Sequence, residues 1–282
     1  MTIGGIITAI VTPFGEDGRV DEYSFVRLLR HLREHGSDGF VVAGTTGEGS
    51  TLTDAEKLRL WELAVHEADG AQVIANTGSN DTAHSVHLTQ RATELGVDGV
   101  LVVTPYYNKP NRRGIVAHFE ACASATDKPL IVYNIPSRCV VDISNDLLRE
   151  LAAIDGVEAV KQARSEDIEP VEGMSLLAGN DDSLARVLDV GGTGGICVAS
   201  HLFGAEMRRM VDRPNERAAI DTSLQDVYRA LAVTTNPIPV KAALNLAGHD
   251  VGGLRLPLVE AAEREQTQIR EMLDRHGMLA AV

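Results

Sequence analysis

Five lysines stand against 21 arginines in this chain of 282 residues, and one of the five is placed unlike the others. Lys161 closes the apolar run Val157-Glu158-Ala159-Val160. Lys57 lies in a capped helical stretch, Lys109 and Lys128 in loops, and Lys241 in a helical stretch after two prolines. An amine at the end of a buried strand loses solvation, and the neutral nucleophile that results is what imine formation with a carbonyl compound requires. On spacing alone Lys161 reads equally well as an ion-pair partner of Asp181 or Glu48, tying strand ends together. Tyr133 closes the run Leu130-Ile131-Val132 and is a candidate proton carrier, since a phenol donates and accepts at one atom. Its alternative is a core side chain with a satisfied hydroxyl. Thr45 and Thr46, between Gly44 and Gly47, offer hydroxyl and N–H groups to a carboxylate, or simply form a tight turn. Arg138, two residues after Pro136, can fork onto a carboxylate or stand as a solvated charge.

These side chains need a frame. A short apolar run, a polar or Gly/Pro turn and a helical stretch recur along the chain, with runs at 5–12, 39–43, 72–76, 99–104, 129–134, 157–161, 175–178 and 194–199. Their near-continuous apolar character fits parallel strands buried on both faces. Thr53-Asp54-Ala55-Glu56 has the form of a capping box, with Leu58, Trp61, Val65 and Ala68 behind it as an apolar stripe. Ser144 is the expected cap of a helix bearing Leu147, Leu148 and Leu151. Eight strands alternating with helices predict an α/β fold, a (β/α)₈ TIM barrel over 1–204, with a doubly wound open sheet as the alternative. From 205 to 282 the pattern is helical only. Leu224, Val227, Tyr228 and Leu231 form one stripe, Pro237 and Pro239 interrupt the chain, and 256–276 closes it, all packed on the barrel as one structural unit.

In either parallel architecture ligands bind beyond the carboxyl ends of the strands. The clusters Gly44-Thr45-Thr46-Gly47-Glu48, Thr104-Pro105-Tyr106-Tyr107, Tyr133 to Arg138, Lys161-Gln162 and Gly179-Asn180-Asp181-Asp182 then converge on one face. Gly191-Gly192-Thr193-Gly194-Gly195 precedes a strand and does not match the dinucleotide fingerprint. It reads as a turn with close backbone approach to a small ligand.

Composition sets the outer bounds. With 44% hydrophobic and 23% charged residues the chain is of ordinary globular make-up, and its formal charge is −14. Nucleic acid and anionic membranes select for clustered Lys and Arg, so neither is expected as a partner. Three cysteines in apolar contexts predict no disulfide, and a reducing cytoplasm is the expected location. No run approaches the ~18 apolar residues of a membrane helix. The pairs His31/His35 and His84/His87 have helical metal-ligand spacing but lack a third ligand nearby, so no metal is implied.

In order along the chain, these motifs resemble the dihydrodipicolinate synthase and N-acetylneuraminate lyase family of class I, imine-forming aldolases. The resemblance runs from Ala9-Ile10-Val11-Thr12-Pro13 through Asn236-Pro237-Ile238-Pro239-Val240-Lys241 to Leu254-Arg255-Leu256-Pro257. It implies condensation of pyruvate with aspartate 4-semialdehyde, a step toward diaminopimelate and lysine, without an external cofactor. It implies an imine on Lys161 and a proton relay from Tyr133 through Thr45 to Tyr107, the last supplied by an adjacent subunit of a tight dimer within a dimer of dimers. Thr46 and the backbone around Ile196 are implied for the pyruvate carboxylate, Arg138 for the carboxylate of the second substrate, and Gly179 for substrate binding. A sialic acid or 2-keto-3-deoxy sugar acid aldolase of the same family is the alternative acceptor class, and a non-catalytic keto-acid-binding barrel the alternative function. Two departures stand out. Gln162 replaces the family's usual glutamate, and Lys57 and His84 differ from the effector pattern that also involves Asn80 and Tyr106. A cation gained and an anion lost there predict weak or absent inhibition by lysine.

Overall fold

The computed structural model describes residues 3–164 and 166–280. Eight strands, β1 (Gly5–Ala9), β2 (Gly39–Val42), β3 (Gln72–Asn76), β4 (Gly99–Val103), β5 (Leu130–Asn134), β6 (Val157–Gln162), β7 (Ser175–Ala178) and β8 (Gly194–Cys197), all pair in parallel and in chain order. Pairing of β8 with β1 closes the barrel, so the open-sheet alternative falls. Helices α1 (Glu22–Glu34), α2 (Asp54–Glu67), α3 (Thr82–Glu94), α4 (Arg112–Ala123), α5 (Pro136–Cys139), α6 (Asn145–Leu151), α7 (Leu184–Asp189) and α8 (Ser200–Asp212) follow the strands. Then come α9 (Arg217–Ala230), α10 (Ile238–Leu246) and α11 (Glu263–Arg275). The division expected after residue 204 falls inside α8, whose contacts with β1 make it the barrel's own last helix.

The helix signals read from the sequence are in place. Thr53 accepts from the Glu56 N–H while Glu56 accepts from the Thr53 N–H, and Ser144 Oγ accepts from the Leu147 N–H. Two expectations shift. The buried face of α2 centres on Leu60, Trp61 and Ala64, leaving Leu58 and Val65 at its margin, because a helix wedged between two neighbours buries more than one narrow stripe. The closing helix starts at Glu263 rather than near 256, since Pro257 lacks an N–H and biases Leu256 away from helical backbone.

Strand alternation sorts the core into two layers. One residue from each strand (Ile7, Val41, Ile74, Leu101, Ile131, Ala159, Leu177 and Ile196) fills the barrel interior, while their neighbours pack outward against the helices. At the β5–β6 seam the register slips by one: Leu130 pairs with Val157, but Ile131 pairs with Ala159, passing over exposed Glu158. The bulge brings Tyr133 directly opposite Lys161, with both facing inward. At the β8–β1 seam Gly194 faces Gly5 so closely that a Cβ would meet the Gly5 carbonyl. The glycine run therefore serves strand closure at the barrel's amino end, and the ligand contact expected for it is not found there.

Two histidines tie this frame together in their neutral form. Buried His201 accepts the Val11 N–H at Nε2 (3.1 Å) and donates from Nδ1 to the Val198 carbonyl (2.8 Å), which fixes its tautomer. Desolvation pushes His201 and His118 from 6.5 down to about 4. The unfolded chain binds their protons near pH 6.5 and the folded chain only near pH 4, so stability is lost as pH falls through that window. The urea midpoint is expected to decline already between pH 6.5 and ~5, before most carboxylates titrate. An invariant midpoint there overturns the assignment.

Candidate active site

The carboxyl ends of the strands open into a cavity of about 370 Å³ that holds Lys161, Tyr133, Thr45, Thr46, Arg138 and Gly179. Lys161 is 6% and Tyr133 5% exposed, and Lys161 Nζ lies 4.2 Å from the centre of the Tyr133 ring. Such contact packs the amine against an aromatic face at the end of an apolar barrel interior. The ion-pair alternative for Lys161 fails on the positions of both carboxylates. Glu48 lies against Lys241 Nζ at 2.7 Å, and Asp181 accepts from the backbone N–H groups of Val198 and Ala199. Among the described residues no carboxylate forms a salt bridge with Lys161. Asp181 remains an electrostatic neighbour of Lys161, with its carboxyl raised chiefly by desolvation.

Arg138 is positioned by α5, a single turn entered through Pro136, whose fixed backbone suits the first helical position. It reaches across the mouth and donates to the Asn236 carbonyl (3.2 Å) and Thr235 Oγ1 (3.4 Å), and no ion pair engages it among the described residues. Thr46 is buried and accepts from Asn236 Nδ2 at 2.9 Å. The second wall comes from α9 and the chain after it, through Gln225, Tyr228, Arg229 and Asn236. Sequence reasoning assigned Tyr228 to a core stripe and gave Asn236 no role. Only the helix length setting Tyr228 at the barrel mouth distinguishes the two uses. Tyr228 Oη and Asn236 Oδ1 are buried without a hydrogen-bond partner among the described residues, and both residues line the cavity.

Other candidates lie elsewhere. Thr45 is exposed at the cavity rim and makes no hydrogen bond to Tyr133 among the described residues. Tyr107 is 88% exposed, on a left-handed backbone (φ 69°), outside the cavity. Ile196 is fully buried in the interior layer beneath the cavity, and Val198 takes the wall position. Gln162, next to Lys161 in the strand, points to the opposite face and accepts from Asn134 Nδ2 and the Arg164 N–H. Its exchange for a carboxylate therefore changes charge behind the wall, not inside it. Asn80, His84, Tyr106 and Lys57 also lie outside the cavity. His84 Nε2 is 3.0 Å from Asp54, and burial lowers the Lys57 amine against the opposing pull of the same Asp54. Among the described residues no helix is long and apolar enough to cross a membrane, and the three cysteines are buried and free.

Known proteins place this geometry. Residues 2–276 match the model of the dihydrodipicolinate synthetase family. The chain is 43% identical to a 4-hydroxy-tetrahydrodipicolinate synthase of Heliobacterium modesticaldum, over 100% of this chain and 98% of that one. It is 44% identical to the synthase of Symbiobacterium thermophilum, over 99% of each. A crystal structure of the enzyme from Cyanidioschyzon merolae with lysine bound superposes with a TM-score of 0.94 at 39% identity, covering 98% of this chain and 99% of that one. A barrel with an unpaired lysine and a tyrosine at its mouth, matched along its whole length, leaves one conclusion: the chain belongs to the dihydrodipicolinate synthetase family.

Proposed function

We propose that this protein condenses pyruvate with L-aspartate 4-semialdehyde to 4-hydroxy-tetrahydrodipicolinate, the product for which its relatives are named. The observation that carries the reading is Lys161, buried beside Tyr133 in the mouth cavity while both nearby carboxylates are engaged elsewhere. Lys161 Nζ adds to the pyruvate carbonyl and water leaves, giving a protonated imine. That cation makes the methyl group acidic, and the enamine formed on proton loss attacks the aldehyde carbon. Attack of the adduct's own amino group on the imine carbon then closes the ring and releases Lys161. Tyr133 moves the protons, Thr46 and nearby backbone N–H groups hold the pyruvate carboxylate, and Arg138 takes that of the semialdehyde. Thr45 and a neighbouring subunit's copy of Tyr107 extend the relay, which makes a homo-oligomer the working unit; the proposed setting is the cytoplasm. The high exposure of Tyr107 supports this assignment.

Borohydride reduction with pyruvate, followed by intact mass and peptide mapping, tests the reading. A pyruvate-dependent adduct on Lys161 is expected, and folded protein without one overturns it. Replacing Arg138 by Ala is expected to raise the semialdehyde KM about tenfold or more while leaving that of pyruvate nearly unchanged. Equal changes in both would count against the assigned role. At the effector face His84 already engages Asp54, so an incoming ammonium meets Lys57 without a free carboxylate beside it. Lysine titration is expected to inhibit weakly or not at all, and strong inhibition at sub-millimolar lysine removes this proposal.

A further inference from the structure

The turn that presents Thr45 and Thr46 is conformationally expensive. Ala43 (φ 58°) and Glu48 (φ 53°) both occupy the left-handed region despite their side chains, a combination that persists only when the surroundings hold it. Part of that hold is visible at the turn itself, where Thr12 Oγ1 donates to the Gly47 carbonyl (2.6 Å) and Gly49 N–H to the Gly44 carbonyl (2.9 Å). The rest comes from α10. Lys241 Nζ forms an ion pair with Glu48 Oε1 at 2.7 Å. The same ammonium donates to the Gly253 carbonyl (2.6 Å) and sits 4.2 Å from the Phe14 ring centre, while Glu48 Oε2 accepts the Arg255 N–H (2.9 Å). Lys241 and Glu48 are 1% and 2% exposed, and neither lines the active-site cavity.

We propose that the buried Lys241–Glu48 pair is a positioning clamp for the pyruvate-binding turn, setting Thr46 from behind the cavity wall. A buried ion pair is a poor source of stability, because desolvating two charges offsets their attraction and an apolar pair of equal volume does as well. What it supplies is a single geometry, since either charge left alone is penalised heavily. The pair acts at the right place. Asn236, five residues before Lys241 on the chain leading into α10, donates to Thr46 Oγ1 from within the cavity, so the turn is gripped inside and outside by one segment. Burial pulls the Lys241 amine down against the opposing pull of Glu48, to about 8, which keeps the clamp largely charged at neutral pH. Lys241 and Glu48 touch no reacting atom and are positioning residues. The inference rests on the assignment of the turn to pyruvate.

The test compares wild type with Lys241→Met and Glu48→Gln, reading pyruvate binding by calorimetry, borohydride trapping on Lys161, kcat at saturating pyruvate, and the urea midpoint. Lys241→Met is expected to weaken pyruvate binding about tenfold or more, with a smaller change in kcat at saturation. Glu48→Gln is expected to weaken it less, because the amide oxygen still accepts from Arg255. A merely structural pair would lower the urea midpoint and leave pyruvate binding unchanged, and that result in folded Lys241→Met overturns the clamp. Should Lys241→Met fail to fold, wild-type pyruvate binding in Glu48→Gln overturns it instead. Wild-type protein that neither binds nor traps pyruvate overturns the functional reading and the clamp with it, whereas a normal wild type beside unaffected variants overturns the clamp alone.

Discussion

Replacing Lys161 by Ala is expected to abolish turnover and the pyruvate adduct together, with kcat falling at least about 10³-fold. The size follows from the mechanism. Without the amine there is no imine, hence no acidified methyl group, and neighbouring groups cannot supply an equivalent electron sink. The fold is expected to survive, because Lys161 enters no salt bridge among the described residues and Asp181 keeps its two backbone donors. A folded Lys161→Ala protein that still turns over at near wild-type rate, or carries the adduct on another lysine, refutes the assignment of the nucleophile.

Exchanging Tyr133 for Phe removes one oxygen and leaves the ring that packs beside Lys161 Nζ. Its expected effect is a kcat loss of about 10²-fold or more, the usual range for a positioned proton carrier, with a much smaller change in pyruvate KM. Steady-state kinetics at saturating semialdehyde reads the two separately. A loss confined to pyruvate KM would make Tyr133 a wall of the cavity rather than a mover of protons.

Much of this was legible before any coordinates. All eight strands lie where apolar runs bounded by turns put them, and Thr53 and Ser144 cap the helices they were assigned to. The cavity gathers Lys161, Tyr133, Thr46, Arg138 and Gly179 because each stands at the carboxyl end of its strand, and parallel pairing leaves those ends together. Contributions from outside the repeating unit were not legible. Tyr228 and Lys241 sit in helical patterns whose burial the sequence registers, but which object each faces depends on how α9 and α10 cross the barrel. The partners of Glu48 and Asp181 were equally hidden, for a carboxylate near a lysine in a linear sketch has several cations and N–H groups within reach in three dimensions.

The slipped register at Glu158 has a consequence for how the Lys161 amine is encoded. Successive side chains in a strand face opposite ways, so with Glu158 in the strand Lys161 looks into the barrel only because the pairing with β5 passes over Glu158. Its position is specified twice, by the residue type at 161 and by the register in which its strand pairs with β5. A substitution at 161 alters the first specification. Pairing without the slip would alter the second, setting Val160 opposite Tyr133 and turning Lys161 toward the helices with every functional side chain still in the chain. For this barrel, the pairing register of one strand helps to build the candidate site.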